Sequence, residues 1–483
     1  MEPLPLPMDA EDIVSAVTRG DISIDTVVED SLTRCAAVQE KLNPFTAIYA
    51  DEARQHAREA TARLKQGGTP RPLEGVPVAI KEFTPIRGKI TSRGSVALKD
   101  CVEDIQPVLV ERLEAAGAII VARTTTPEFA HSSFTRSPLY GHTRNPFDAS
   151  RSCGGSSGGA GVAVATGCVP LAEGTDMGGS VRIPAALCGV IGFKPSLGRI
   201  PMDILPTVFD TISHFGPLGR SMTDIRMFMD AVSGPDDADI LSQTAPVPLL
   251  SRPIDPAGLR LAVSADLGFY DVDDEVAARF QECVQMLADQ GAHVASVDLG
   301  WRAEIVDAWY DYWCVYLAAA AEDLLADHRE VMDPDFLELV DRGLAMSAVD
   351  FRRLDEIRTR QWHSFIAAMR GFDALLCPTM ALPAPAIDAR EMDFTEVTAD
   401  GRLKGLDMTC VFNSIGQCPA LSVPSGLTAE GLPTAIQIIG NSFDDATVMG
   451  IGALLQNLRD WRPALAPVMS SFNPEYEPLQ EKN

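Results

Sequence analysis

Two neighbouring stretches decide how this chain is read: Gly154-Gly-Ser-Ser-Gly-Gly159, and further along Gly174-Thr-Asp-Met-Gly-Gly-Ser-Val-Arg-Ile-Pro184. Residues 151–200 contain 12 of the 37 glycines, interleaved with Val, Ile, Leu and Phe. Flexible Gly/Ser linkers lack such apolar residues. The pattern therefore points to backbone held in close, unusual conformations inside a folded core, where only glycine fits.

Working outward, Val76 to Ile80 is a short apolar run bounded by turn residues and ending at Lys81, which reads as a buried strand. Val108 to Ala116 reads as a helix and Ala118 to Ala122 as the next strand, an alternation expected of an α/β layer architecture. Upstream, Asp9 and Ser23 are placed to cap helices running to about Thr18 and through Cys35, and Asp51 to Lys65 forms a third helical segment. Downstream, Leu259 to Val263, Ala374 to Cys377, Ala420 to Pro424 and Ala435 to Gly440 read as strands. Helices are expected over Asp274 to Gln290 and Asp444 to Leu458. Residues 301–370 are helix-rich and carry four of the five tryptophans. No internal repeat and no separating linker occurs. The expectation is one large domain over 1–483, with a helical segment at 1–65, a core at 66–240 and a helical insertion at 300–370.

Composition narrows the function classes. A chain of 483 residues with 46% hydrophobic and 22% charged residues can bury a large core. Its net charge of −27 disfavours phosphate backbones and anionic lipid, so neither a nucleic acid nor a membrane is expected as partner. The first ten residues lack the basic start and apolar run of a secretory signal, and no stretch reaches about 18 uninterrupted apolar residues. Ten cysteines without CxxC or metal-type spacing suit reduced core thiols in a cytoplasmic protein. No metal or other cofactor is called for.

Rival chemistries fit the motifs poorly. A phosphate-binding loop needs Gly-Lys-Ser/Thr after its glycines, whereas Gly158-Gly-Ala-Gly161 runs into valine. A Schiff-base role for Lys81 leaves both serine loops unexplained. No Gly-x-Ser-x-Gly elbow surrounds Ser156 or Ser180, which argues against a Ser-His-Asp triad. His131, His142 and His214 then read as structural or substrate-lining.

Taken together, Cys153-GGSSGG-Ala160 and Gly174-TDMGGSVRIPAALCGVIGFKPSLGR199 resemble the amidase signature family. Similar segments lie upstream, at Glu74-GVPVAIKE82, Thr126-PEFA130 and Tyr140-GHTRNPFD148, and downstream, at Phe412-NSIGQCPALSVPSG426 and Gly431-LPTAIQIIG440. The likeness spans roughly residues 10 to 465. It departs from the commonest pattern at Cys153, Glu82 and Glu173. It implies a single α/β domain with a mixed, twisted sheet covered by helices on both faces. It also implies hydrolysis of a small-molecule amide by a Ser-cisSer-Lys triad: Ser180 as nucleophile, Ser156 as the bridging serine after a cis peptide bond, and Lys81 as base. The backbone N–H groups of Met177, Gly178, Gly179 and Ser180 are the implied oxyanion donors. Within the family an ammonia-generating amidotransferase component that works with a partner is an alternative, as is a non-catalytic binding relative. A homodimer is common in such proteins.

Elementary chemistry agrees with those roles. A serine hydroxyl attacks well only if a base takes its proton, and an ammonium cannot be that base. Burial at the end of an apolar strand disfavours the charged form of Lys81. Asp176 and Arg182 admit two readings, bracing of the catalytic loops or a structural ion pair. Trp309, Trp313 and Tyr316 recur at i, i+4 and i+7, a stripe that serves either core packing or a substrate pocket. With Phe209, His214 and Phe215 they motivate the expectation of an apolar, aryl-accepting pocket.

Overall fold

The computed structural model describes residues 7–243 and 254–472. Its centre is a mixed sheet of eleven strands. In chain order the strands are β1 (Phe45–Ile48), β2 (Pro77–Lys81), β3 (Ile119–Thr124), the short pair β4 (Arg136–Ser137) and β5 (Gly141–His142), β6 (Leu171–Asp176), β7 (Ile191–Lys194) and β8 (His214–Gly219). They continue with β9 (Arg260–Val263), β10 (His293–Ser296), β11 (Ala374–Pro378), β12 (Ala420–Leu427) and β13 (Pro433–Gly440). The large sheet runs β1-β3-β2-β6-β8-β7-β12-β13-β11-β9-β10, and β4 pairs with β5 apart from it. Neighbours β3, β2 and β6 are parallel, as are β11, β9 and β10; the pairings between β6 and β11 are antiparallel.

The expected elements are present, most with small shifts in their ends. Ser23 caps the helix Ile24–Leu42 by accepting the Thr26 N–H, and that helix continues well past Cys35. Asp9 precedes the helix Ala10–Arg19, but its carboxylate bonds Arg220 and Arg462 instead of the helix terminus. The run ending at Lys81 is strand β2, buried along its whole length between β3 and β6, as its unbroken apolar sequence requires. The main core is built on that sheet and the helices that cover it. Two further apolar clusters lie under the helices of residues 304–368. Among the described residues no helix is long and apolar enough to cross a membrane.

This layout brings the ends of β2 and β6 side by side. β2 ends in Lys81, β6 ends in Asp176, and the turn after β6 carries Met177 to Ser180. The glycine-rich stretch before the helix Gly158–Ala165 lies against the same turn: the Ser157 N–H donates to the Ser180 carbonyl at 3.1 Å.

Candidate active site

Lys81 is fully buried, and its Nζ donates to Ser156 Oγ at 2.7 Å and to Thr175 Oγ1 at 2.9 Å. Burial pushes the ammonium down to about 7, against the opposing pull of Glu173 and Asp176. Glu173, one of the departures noted in the sequence, accepts the Lys81 backbone N–H at 2.9 Å and the Thr84 hydroxyl at 2.9 Å, and burial raises its carboxyl to about 7. Glu82 turns away from the lysine. Its carboxylate takes the Ser92 N–H, the Ser92 hydroxyl and the Gly94 N–H, and so anchors the 92–94 loop.

The peptide between Gly155 and Ser156 is cis. Gly155 has no room for a side chain, because a Cβ there would sit 2.6 Å from the Ser132 carbonyl oxygen and 2.8 Å from the Phe134 nitrogen. The stretch is held further by Thr135, whose hydroxyl donates to the Gly154 carbonyl at 2.8 Å and accepts the Gly158 N–H at 3.0 Å. Cys153 is a buried thiol whose proton is directed at the Thr143 and Gly154 carbonyls.

Asp176 and Arg182 form an ion pair with both side chains fully buried, at 2.9 Å. Burial opposes ionisation of Asp176, yet Arg182 and Asn413 hold its carboxyl well below the usual carboxylate range. All five guanidinium N–H donors are satisfied: two go to Asp176 and one each to the Thr409 carbonyl, Gln437 Oε1 and Asn413 Oδ1. Asp176 also accepts the N–H groups of Gly179 at 2.8 Å and Val181 at 3.3 Å, fixing the turn around Ser180. The pair therefore braces the turn and is a core ion pair at once. Replacing Arg182 with alanine strands Asp176 without its partner, and a loss of about 3–5 kcal/mol in unfolding free energy is expected for a broken buried pair. Denaturant titration of the purified variant reads this directly.

One expectation for the turn is corrected. Because the Gly179 N–H is committed to Asp176, it is not free for a substrate oxygen. The N–H groups of Gly178 and Ser180 have no acceptor among the described residues, and both residues face a cleft. Met177 lines the cleft too, and its carbonyl accepts the Trp309 indole N–H at 3.0 Å.

The cleft joins Ser156, Thr175 and Ser180 to a wall that is largely aromatic, including Phe83, Trp309, Tyr310, Trp313 and Phe394. Trp309 and Trp313 come from the helix Glu304–His328 and stack at 6.2 Å between ring centroids. Tyr316, next along the stripe, stacks on Trp313 at 5.5 Å but packs into the cluster behind the wall. His131 lines the cleft, its Nδ1 facing the Glu128 carbonyl at 2.8 Å.

Three residues expected at the pocket lie elsewhere. Phe209 is 71% exposed in a surface turn. His214 is paired in register with Asp176, and its ring nitrogens face the carbonyls of Ile212, Asp176 and Gly416; burial lowers it to about 3, so it is neutral. Phe215 is fully buried in the main core, because consecutive strand residues point to opposite faces. His142 is exposed, on the short strand β5. Residue type and spacing do not single out Thr175, Thr409 and Asn413 as site residues, although Thr175 lies inside the glycine-rich motif and Asn413 in the downstream segment that begins at Phe412.

The family model described as Amidase matches residues 26–449. The chain belongs to the amidase family. With that family, it is an enzyme that hydrolyses carbon–nitrogen amide bonds. An acylamidase of Rhodococcus erythropolis is 33% identical over 462 residues, covering 94% of this chain and 96% of that protein. The A-type polypeptide of a glutamyl-tRNA(Gln) amidotransferase from Symbiobacterium thermophilum is 31% identical over 476 residues, covering 92% of this chain and 96% of that one. Among solved amidase-signature structures, a bacterial aryl acylamidase superposes with a TM-score of 0.88 at 28% identity, covering 96% of this chain and 98% of that chain.

Proposed function

We propose that this amidase cleaves a non-peptide carboxylic amide through an acyl-enzyme on Ser180, with Ser156 relaying the proton to Lys81. The observation that carries the reading is the 2.7 Å contact between Lys81 Nζ and Ser156 Oγ, made by a lysine held fully out of water. With the amine neutral, its lone pair takes the Ser156 proton while Ser156 Oγ takes the proton of Ser180. Ser180 Oγ then bonds to the amide carbon, and the oxyanion is received by the unspent N–H groups of the turn. Collapse breaks the C–N bond as Lys81 returns its proton, through Ser156, to the departing nitrogen. A water molecule, deprotonated by the same relay, attacks the ester and frees the acid and Ser180.

The wall of the cleft favours an aryl group, or a bulky apolar one, next to the scissile bond, because stacked indoles offer large flat surfaces at low entropic cost. We take the helices of residues 300–370 as the segment that shapes this pocket. An activity panel should therefore favour aryl amides over short polar amides such as acetamide; the reverse order would overturn the aryl reading. Mass spectrometry of a slow-turnover complex should find the acyl group on Ser180.

The pH profile is a second check. The base must be neutral, and burial brings its titration to about 7, so kcat/KM should rise through about pH 7 and level off above it. A maximum near pH 5 would contradict a lysine base.

The likeness to a glutamyl-tRNA(Gln) amidotransferase component supports a second reading, ammonia release from a primary amide for a partner enzyme. Release of ammonia from glutamine by the chain alone, with no turnover of aryl amides, would favour it. The free cysteines and acidic composition support a cytoplasmic setting.

A further inference from the structure

We infer that Trp309, beyond forming cleft wall, is a positioning residue that aims the Gly178 N–H as an oxyanion donor. The inference rests on the acyl-enzyme reading above. The turn that carries the donors is built on Gly178 and Gly179, the residue type with the greatest backbone freedom, so its peptides need an outside tie to keep one orientation. Two side chains from distant parts of the chain supply such ties. Trp309 Nε1 donates to the Met177 carbonyl at 3.0 Å, and Thr409 Oγ1, which also contacts the Asp407 carboxylate, lies 2.6 Å from the Gly178 carbonyl oxygen.

In a trans peptide the C=O and the following N–H point in opposite directions. Fixing the Gly178 carbonyl on Thr409 therefore sends the Gly179 N–H the other way, to Asp176, where it is spent. Fixing the Met177 carbonyl on Trp309 sends the Gly178 N–H away from the indole. That N–H has no acceptor among the described residues, on a residue that faces the cleft together with Ser180. Were this peptide to flip, a carbonyl oxygen would replace the donor. The indole also lies directly on Gly178: a Cβ there would collide with Trp309 Cζ2, so ring and turn are fitted to each other. The helix that builds the pocket wall thus also sets the geometry of the turn beside Ser180.

The test is Trp309→Phe in the full chain, which keeps an aromatic wall and removes the N–H. As a closer isostere, benzothienylalanine can be placed at 309, with sulfur where the N–H was. Steady-state kinetics over aryl amides that differ in acyl and amine parts should show kcat falling by the same roughly 10- to 100-fold factor for every substrate, below the cost of deleting a donor outright, with KM nearly unchanged. Affinity for an aryl trifluoromethyl ketone, which forms a tetrahedral adduct, should fall by that same factor. If kcat of the benzothienylalanine enzyme stays within about twofold of the parent, or if the loss varies with the group lying on the ring, the indole is wall only and the inference fails. Intact mass of the parent enzyme with a slow substrate separates the two ideas, because absence of an acyl group on Ser180 there sinks the acyl-enzyme reading itself.

Discussion

Ser180→Ala is expected to lower kcat by at least roughly 10⁴-fold, because it removes the hydroxyl proposed to form the covalent bond to the amide carbon. The fold should survive. Ser180 is half-buried at the cleft wall, and the contact that ties it to the glycine-rich stretch is made by its backbone carbonyl, which accepts the Ser157 N–H and is kept in the variant. Thermal unfolding should accordingly match the parent while turnover of an aryl amide disappears. Substrate binding should persist, since the aromatic wall and the Gly178 N–H are untouched, so the variant is the form in which to measure a substrate Kd. Near-normal turnover in a folded variant would remove Ser180 from the reaction and leave the turn at Met177 to Ser180 without a role. Ser156→Ala should fall between the parent and this variant: the relay is lost, but a water in the vacated space can carry the proton with poorer geometry.

How far the sequence discloses this molecule depends on how local each feature is. β2, β3, β9, β11, β12 and β13 are legible because each is a short apolar run between turn residues. β6 and β8 are not. β6 reads Leu-Ala-Glu-Gly-Thr-Asp, since its polar residues serve the site: Glu173 holds the Lys81 backbone, Thr175 the Lys81 amine and Asp176 the turn. β8 contains Pro217 and two glycines, which argue against a central strand. It is tolerated because β7 pairs only with Leu218 and Gly219, so the ladder on that side ends before the proline.

The proposed chemical centre is local in the same sense. Lys81, Ser156 and Ser180 each sit in a contiguous motif; the sheet order β2-β6 brings Lys81 beside the turn of Ser180, and the Ser157 N–H to Ser180 carbonyl bond joins the stretch of Ser156 to them. The pocket is assembled from residues far apart in the chain, such as Phe83, Trp309 and Phe394, and spacing along the sequence carries no trace of that meeting. Nearness to the motif was therefore a poor guide. Phe209, His214 and Phe215 follow it closely yet lie on the surface, behind the turn and in the core, whereas Trp309 and Trp313 are over a hundred residues away and line the cleft.

Lys81→Met separates catalysis from stability most sharply. Methionine nearly matches the length and volume of the lysine stem but has no proton to hold, so kcat should fall by roughly 10³-fold or more, the range lost with a general base. Unfolding free energy should hold or rise, because a fully buried amine is an expense that an apolar side chain of similar volume does not incur. Two hydroxyls lose a donor in this variant, Ser156 and Thr175, but each carries its own proton and can turn it to a new acceptor. The opposite signs of the two effects distinguish a base kept neutral for chemistry from a lysine that merely completes the core: the second kind would cost stability when replaced and leave the rate largely intact. The double variant Ser180→Ala/Lys81→Met then reports whether the groups act as one unit. If they do, its rate should equal that of Ser180→Ala alone, since a base has nothing left to activate once the nucleophile is gone. Losses that multiply would instead assign Lys81 a task independent of Ser180.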